Sequence, residues 1–183
     1  VAPGTATITA EATSGLKAVC EVTVKSPATK VTVEKTAVLN AGETYKLFAI
    51  MDPDDTTDTL TWSSSNKKVA TVAEDGTVTA VAKGSATITV KTTSGKKATC
   101  KVTVLLPADS VTLNQTEVTM TKSKSVTLKA TLGPKGTTDK VTWTTSDETV
   151  VVVDAKGKVT VVGGGEATNT ATTTSGSTTT TTS

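Results

Sequence analysis

The chain has 183 residues, a net charge of +2 and only 2% aromatic residues, and all 19 of its basic residues are lysines. So weak and dispersed a charge, with no arginine to read phosphate or guanine bidentately, argues against a nucleic-acid partner. The absence of histidine removes the commonest general base and metal ligand, and no apolar run is long enough to span a membrane. The composition therefore predicts no enzyme, no cofactor and no membrane partner.

Residues 1–26 come first in the chain, and they alternate apolar and polar residues on both sides of a Ser14-Gly15 turn. This pattern predicts a two-stranded hairpin with Ala6, Ile8 and Val22 on one face. A hairpin alone is marginal in water. We therefore expect residues 1–26 to be the C-terminal hairpin of a preceding domain, with its other strands supplied by the same, longer polypeptide or by a neighbouring subunit.

The hairpin sequence recurs about 80 residues later. Residues 84–104 are a near copy of residues 4–24, and Leu60-Thr-Trp62 recurs as Val141-Thr-Trp143 at almost the same offset. A fixed period predicts an array of equal units. The repeat divides the chain into the hairpin of residues 1–26, a full unit at 27–106 and a second full unit at 107–183.

The unit at 27–106 gives the clearest reading of strands and turns. Apolar alternation, rich in threonine and valine, predicts about seven short strands with no helical period. The predicted strands are 31–33, 44–51 (with Tyr45, Leu47 and Ala49 on one face), 60–62, 69–72, 77–81, 86–90 and 98–104. Short strands with frequent turns are typical of an antiparallel β-sandwich, so the expected fold is all-β.

The order of motifs within this unit resembles a known family. Thr61-Trp62-Ser-Ser-Ser-Asn66, then Val69-Ala-Thr-Val72, then Asp75-Gly76-Thr-Val-Thr-Ala-Val81 and Gly84-Ser-Ala-Thr-Ile88 are similar to the bacterial immunoglobulin-like group 2 domain. The same motifs recur from Thr142 onward. The resemblance implies tandem immunoglobulin-like antiparallel β-sandwiches, of the kind found in intimin- and invasin-type adhesins, cell-wall proteins and phage tail and capsid proteins. It brings no catalytic motif.

Four residues are predicted to belong to the structural core. Trp62 and Trp143 lie mid-strand among apolar neighbours, where a sandwich packs its central aromatic residue; stacking on a sugar is the alternative. Cys20 and Cys100 occupy the same place in successive units, so their Cα atoms should lie beyond the roughly 7 Å that a disulfide allows. Strand parity places both thiols on a buried face, which predicts reduced, inert cysteines.

One loop offers a candidate metal site. Asp52, Asp54, Asp55 and Asp58 lie within seven residues, and their carboxylates could supply oxygen ligands to Ca²⁺. The spacing is not that of an EF-hand, and the aligned loop of the second unit keeps only Asp139. The favoured interpretation is therefore a solvated turn without metal, in which Asp58 and Asp139 cap the backbone locally.

The end of the chain departs from the repeat. Residues 171–183 are almost entirely threonine and serine. They fit either a closing hairpin around Ser175-Gly176, which the register favours, or a glycosylated linker. Asn169 stands where the first unit has Ile88, so the register predicts a buried amide in this unit.

Three functions are compatible with these features. The first is a non-catalytic structural or display repeat of an extracellular bacterial surface adhesin or fibre. The alternatives are a module of a bacteriophage tail or capsid protein and a carbohydrate-binding module of a cell-wall protein. The expected partners are neighbouring immunoglobulin-like domains and surface glycans or proteins. Short connections ending at Pro27 and Pro107 predict a stiff array.

Overall fold

The computed structural model describes residues 2–174 and, for backbone only, residues 178–182. The described residues form strands and turns without a helix, which confirms the all-β prediction. The chain separates into two compact units, Val1–Val104 and Leu105–Ser183.

The first unit begins with a two-stranded hairpin. Strands β1 (Gly4–Glu11) and β2 (Lys17–Val24) pair antiparallel over their full lengths, from Gly4 opposite Val24 to Glu11 opposite Lys17. They form a sheet of their own, and every residue of the pair except Val24 is exposed.

Nine further strands complete the first unit: β3 (Lys30–Thr32), β4 (Thr36–Asn40), β5 (Thr44–Lys46), β6 (Ile50–Asp52), β7 (Leu60–Ser64), β8 (Ala70–Val72), β9 (Thr77–Ala80), β10 (Gly84–Thr92) and β11 (Lys97–Leu105). The largest sheet has the order β4-β11-β10-β7; a second has the order β5-β9-β8, and β3 pairs with β6. The core between the sheets consists of small and branched apolar side chains: Leu39, Leu47, Val69, Ala70, Val78, Ala80, Ala86, Ile88, Cys100, Val102 and Val104.

The single strand predicted at 44–51 is wrong. The chain leaves one sheet after Lys46 and enters another at Ile50, so β5 pairs with β9 and β6 pairs with β3. The backbone N–H of Leu47 donates instead to the carbonyl of Gly76 at 3.0 Å. Leu47 is buried while Tyr45 is exposed, because the two residues do not share one continuous strand face.

The second unit repeats this plan with eight strands in its described part: β12 (Ser110–Leu113), β13 (Ser125–Thr127), β14 (Ala130–Gly133), β15 (Val141–Thr145), β16 (Val151–Val153), β17 (Lys158–Val161), β18 (Thr168–Thr173) and β19 (Thr178–Thr182). The sheets are β15-β18-β19, β13-β17-β16 and β12-β14. The predicted pairing of the last two strands is present. The Ser175-Gly176 turn lies outside the described residues. Asn169 is fully buried, as the register predicts.

Candidate functional site: the junction loops

A loop of seven residues recurs in both full units, and we call the two copies the junction loops because each contacts the residues at the start of its unit. They are Asp52-Pro-Asp-Asp-Thr-Thr-Asp58 and Gly133-Pro-Lys-Gly-Thr-Thr-Asp139. The peptide bond before the proline is cis in both copies. In both, the first threonine N–H donates to the proline carbonyl at 3.1 Å, which closes a turn. The backbone of the loop is therefore the same although three of its side chains differ.

The first junction loop holds the residue that precedes Pro27. The carbonyl oxygen of Ser26 accepts hydrogen bonds from the Thr57 N–H at 2.8 Å, from Thr56 Oγ1 at 2.8 Å and from Thr57 Oγ1 at 3.3 Å. The Ser26 N–H donates in return to Thr57 Oγ1 at 3.2 Å. Both backbone polar groups of Ser26 are thus satisfied by the threonine pair.

The second junction loop makes the same contacts with Leu106. Its carbonyl oxygen accepts from the Thr138 N–H at 2.7 Å, from Thr137 Oγ1 at 2.6 Å and from Thr138 Oγ1 at 3.0 Å. The Leu106 N–H donates to Thr138 Oγ1 at 3.1 Å. All these contacts lie within the unit that contains the loop.

The aspartate that ends each loop accepts a hydrogen bond from the backbone N–H of the alanine that follows the proline. Asp58 Oδ2 accepts from the Ala28 N–H at 3.1 Å, and Asp139 Oδ2 accepts from the Ala108 N–H at 3.0 Å. Because proline has no N–H, these alanines carry the first donor after the proline. Each junction loop therefore forms hydrogen bonds with the main chain on both sides of that proline.

Asp58 also joins the junction loop to the turn between β10 and β11. Its carboxylate accepts from Ser94 Oγ, from the Ser94 N–H at 3.2 Å and from Thr93 Oγ1 at 3.0 Å. The hydrogen bond from Ser94 Oγ, assisted by the backbone N–H groups of Ala28 and Ser94, lowers the pKa of Asp58 to about 2 from the usual 3.8. The charged carboxylate is the state that these donors stabilise.

The calcium alternative does not match this geometry. In the described part of the chain, no group of three or more carboxylate, histidine or cysteine side chains could hold a metal ion. Asp52 and Asp54 are exposed, Asp55 Oδ1 lies 3.4 Å from Ser26 Oγ, and Asp58 accepts from the hydrogen-bond donors just described. At Asp58, hydroxyl and amide donors already occupy lone pairs that a cation would need.

The two tryptophans are partly buried and pack against the cores of their units. A glycine of the neighbouring turn lies against each indole. A Cβ added at Gly76 would lie 3.0 Å from Cζ2 of Trp62, and one at Gly157 would lie 2.8 Å from Cζ2 of Trp143. This contact covers part of each ring, while Trp143 also lines a surface groove of about 410 Å³.

The two cysteines differ in their surroundings. Both are free thiols, and Cys100 is fully buried, whereas Cys20 is exposed. The expectation of burial for Cys20 is therefore not met in this chain. The reason is that β1 and β2 lack the strands that cover the corresponding face of β10 and β11.

A groove in the second unit is lined mainly by apolar residues. This groove of about 210 Å³ is lined by Met120, Lys122, the valines 150, 151 and 161, and the glycines 163–165. Lys122 is the one titratable side chain on its wall, so no pair of groups is present there for acid–base chemistry. Within residues 2–174 and 178–182, no helical segment has the length and hydropathy that a membrane crossing requires.

Sequence reasoning recognised the recurring Thr-Thr-Asp motif only as a local cap. The carbonyl groups of Ser26 and Leu106 have no side-chain signature, so their role as acceptors could not be read from residue types. The usable signal was the coincidence of two repeats: Thr-Thr-Asp and the proline-bearing connection both recur with the period of the units.

Comparison with known proteins agrees with this repeat. Residues 27–102 and 107–183 each match the family model described as "Bacterial Ig-like domain (group 2)". An uncharacterized protein of Clostridium acetobutylicum is 36% identical over 137 residues, which is 72% of this chain and 14% of that protein. The lacto-N-biosidase of Bifidobacterium bifidum is 47% identical over 90 residues, which is 46% of this chain and 8% of the enzyme.

Among solved structures, the C-terminal 282-residue fragment of intimin, in complex with the intimin-binding domain of the translocated intimin receptor, aligns with 86% of this chain and 64% of its own chain. The TM-score is 0.44 and the sequence identity is 20%. This chain therefore spans only a small part of the two curated relatives and a larger part of the intimin fragment.

Proposed function

Because this chain belongs to the bacterial Ig-like (group 2) domain family, we propose that it is a non-catalytic structural repeat of an extracellular bacterial surface protein. Its role is to space and display other domains of that protein. The duplicated junction loop is the observation that carries this proposal. In both units its hydrogen bonds hold the residue before the proline at the start of the unit, Ser26 or Leu106.

The hydrogen bonds of the junction loops support a spacer function through the entropy of the connection. A free linker residue retains roughly 1–2 kcal/mol of backbone conformational entropy at 25 °C. Ser26 and Leu106 each have both of their backbone polar groups bound by a threonine pair, and the following proline has a fixed φ. Such connections favour a stiff array over a freely jointed one.

The relatives support an accessory role beside other domains. The lacto-N-biosidase and the α-L-arabinofuranosidase of Bifidobacterium longum share with this chain only a segment that is 8% of each enzyme. We infer that the catalytic residues of such enzymes lie elsewhere in them, and that the segment resembling this chain separates domains at the bacterial surface.

Small-angle scattering on the 183-residue chain tests the stiffness on which the spacer role depends. The expected result is a narrow distribution of angles between the two full units. Replacing Thr137 and Thr138 with valine removes the hydroxyl groups that bind Leu106, and this variant should show a broader distribution. The exposed Thr119, replaced with valine, is the matched control and should leave the scattering unchanged. An equally broad distribution in the unaltered chain would contradict the proposal.

A carbohydrate-binding module is the second candidate, favoured by two exposed rings and by glycosidases among the relatives. Phe48 is 73% exposed and Tyr45 is 40% exposed, and the Tyr45 hydroxyl donates to Glu34 at 3.2 Å. Titration with soluble host and bacterial glycans distinguishes the two functions. A spacer shows no saturable binding, whereas a binding module shows binding that Phe48→Ala abolishes.

The bacteriophage alternative makes a separate prediction. If the chain were part of a tail or capsid protein, mass spectrometry of purified virions would find its peptides. For a surface repeat, the same peptides are expected after mild proteolysis of intact bacterial cells.

A further inference from the structure

The hairpin β1–β2 has the backbone of the hairpin β10–β11. Ile8 is opposite Cys20 in the first hairpin, and Ile88 is opposite Cys100 in the second, so the two registers are identical along the strands. Their turns also agree. The Ala12 N–H donates to the Leu16 carbonyl at 2.8 Å, and the equivalent bond from the Thr92 N–H is 2.9 Å long.

The two hairpins differ in what covers them. In β10–β11, the inward face is fully or almost fully buried: Ala86, Ile88, Val90, Cys100, Val102 and Val104. The residues at the same positions of β1–β2 form an equally apolar set: Ala6, Ile8, Ala10, Cys20, Val22 and Val24. Ile8 is 60% exposed, whereas Ile88 is 0% exposed. The hairpin thus has an apolar face of the kind that is buried in a full unit, but this face is exposed.

A glycine that precedes Ala6 gives independent evidence that a particular neighbour is missing. Gly84 has a φ of +148°, and a Cβ there would lie 2.9 Å from Cγ2 of Val69, so only glycine fits. Gly4 has the same conformation, with a φ of +155°, but nothing lies within 4 Å of the Cβ it lacks. Gly4 of the hairpin therefore matches the glycine that contacts the turn residue before β8 in the full unit, although no such neighbour lies against Gly4 here.

The edges of the hairpin also lack the strands that flank β10 and β11. In the complete sheet, β10 pairs with β7 and β11 lies beside β4. In the hairpin, β1 and β2 pair only with each other among the described strands, so the edges equivalent to these two contacts carry unpaired backbone groups.

We propose that β1–β2 is the closing hairpin of a further Ig-like group 2 unit and that it binds the remaining strands of that unit, which are equivalent to β3–β9. In this arrangement, Ile8 and Cys20 occupy the places of Ile88 and Cys100, and the equivalent of Val69 packs on Gly4. The inference stands apart from the proposed function, because a hairpin of this kind would need the same partner strands in a spacer or in a binding module.

A chimera tests this proposal with the 183-residue chain as the reference. Residues 27–83 are copied and joined directly to Gly4, so that β3–β9 precede β1–β2 as they precede β10–β11. The measurement is the rate at which Cys20 reacts with a thiol reagent under native conditions, with Cys100→Ser removing the second thiol. We expect labelling at least about 100-fold slower in the chimera than in the 183-residue chain, because a buried Cys20 reacts only after the new unit opens.

Ile8→Lys provides the matched control. In the chimera, the lysine would enter the core position of Ile88, so labelling should return to the fast rate. In the 183-residue chain, where Ile8 is exposed, the same change should not alter stability. Fast labelling of Cys20 in the unaltered chimera would overturn the proposal, as would slow labelling that Ile8→Lys leaves unchanged.

The 183-residue chain without the copied residues tests the other possible occupant, a second copy of itself. Light scattering across a concentration series should show a monomer with a fast-reacting Cys20. A dimer in which Cys20 becomes protected as concentration rises would show that the hairpin face binds another copy, and the proposed occupant would be wrong.

Discussion

The two full units have the same fold but different side chains at equivalent buried positions of strands β10 and β18. In β10 the inward side chains are Ala86, Ile88 and Val90; the second unit has Ala167, Asn169 and Ala171 at the same places, and all six residues are buried. The neighbouring tryptophan pairs with Val90 in the first unit and with Ala171 in the second. Strand alternation and register thus determine which positions are buried, whereas the residues at those positions determine how much burial stabilises the unit.

Placing the asparagine of the second unit at position 88 of the first unit should have the largest effect on stability. Ile88→Asn removes a fully buried side chain and buries an amide in its place, so we expect a loss of about 3–5 kcal/mol in the free energy of unfolding of the first unit. Urea unfolding followed by Trp62 fluorescence, with Trp143→Phe as background, measures it. Ile8→Asn at the exposed copy is the control, and its expected effect is below about 0.5 kcal/mol.

The turn glycines test a contact that the two units share. An alanine at Gly76 would adopt a φ of +85° and place its Cβ 2.8 Å from the Leu47 carbonyl oxygen and against Trp62. The expected loss is about 2–4 kcal/mol, from backbone strain and steric overlap together. Gly95→Ala has a similar φ but open space around the Cβ, so it should cost about 1–2 kcal/mol. Equal losses in thermal unfolding would mean that the contact with Trp62 has no energetic role.

Replacing Asn169 with the isoleucine of the first unit should stabilise the second unit. Asn169→Ile replaces a fully buried amide with the apolar residue of the first unit, and the expected gain in the free energy of unfolding of the second unit is about 1–3 kcal/mol. The fluorescence of Trp143 in a Trp62→Phe background follows this unit alone. A loss of stability would show that the smaller neighbours of Asn169 have closed the space that isoleucine needs.

The smallest expected effect concerns acid stability at the first junction loop, because the carboxylate involved is close to solvent. The pKa of Asp58 is lowered to about 2 in the folded chain, so its contribution to stability is complete above about pH 4 and is lost as the pH falls through about 2. Asp58→Asn should therefore flatten the pH dependence of thermal unfolding of the first unit between pH 4 and 2. Asp54→Asn, at an exposed residue of the same loop, should retain the slope of the unaltered chain.

The same residues show what could be predicted from the sequence. Period-two alternation correctly predicted the burial of Ile88 and Asn169, because strand parity is a local property. The break after Lys46 was missed, because it depends on the Leu47 N–H reaching the carbonyl of Gly76 in a distant turn. The junction loops were half recognised: their aspartates were expected to cap the backbone, but the acceptors at Ser26 and Leu106 are main-chain carbonyls that any residue provides.

That last property bears on how arrays of such units can change in length. Each threonine pair binds the main chain of the residue before the proline that begins the unit. That residue is a serine at one junction and a leucine at the other. Recombination that deletes residues 27–106 would join Ser26 to Pro107, and Thr137 and Thr138 would find the same carbonyl and N–H there. A gene encoding these repeats can thus gain or lose whole units by unequal crossing-over without any compensating mutation at the new boundary.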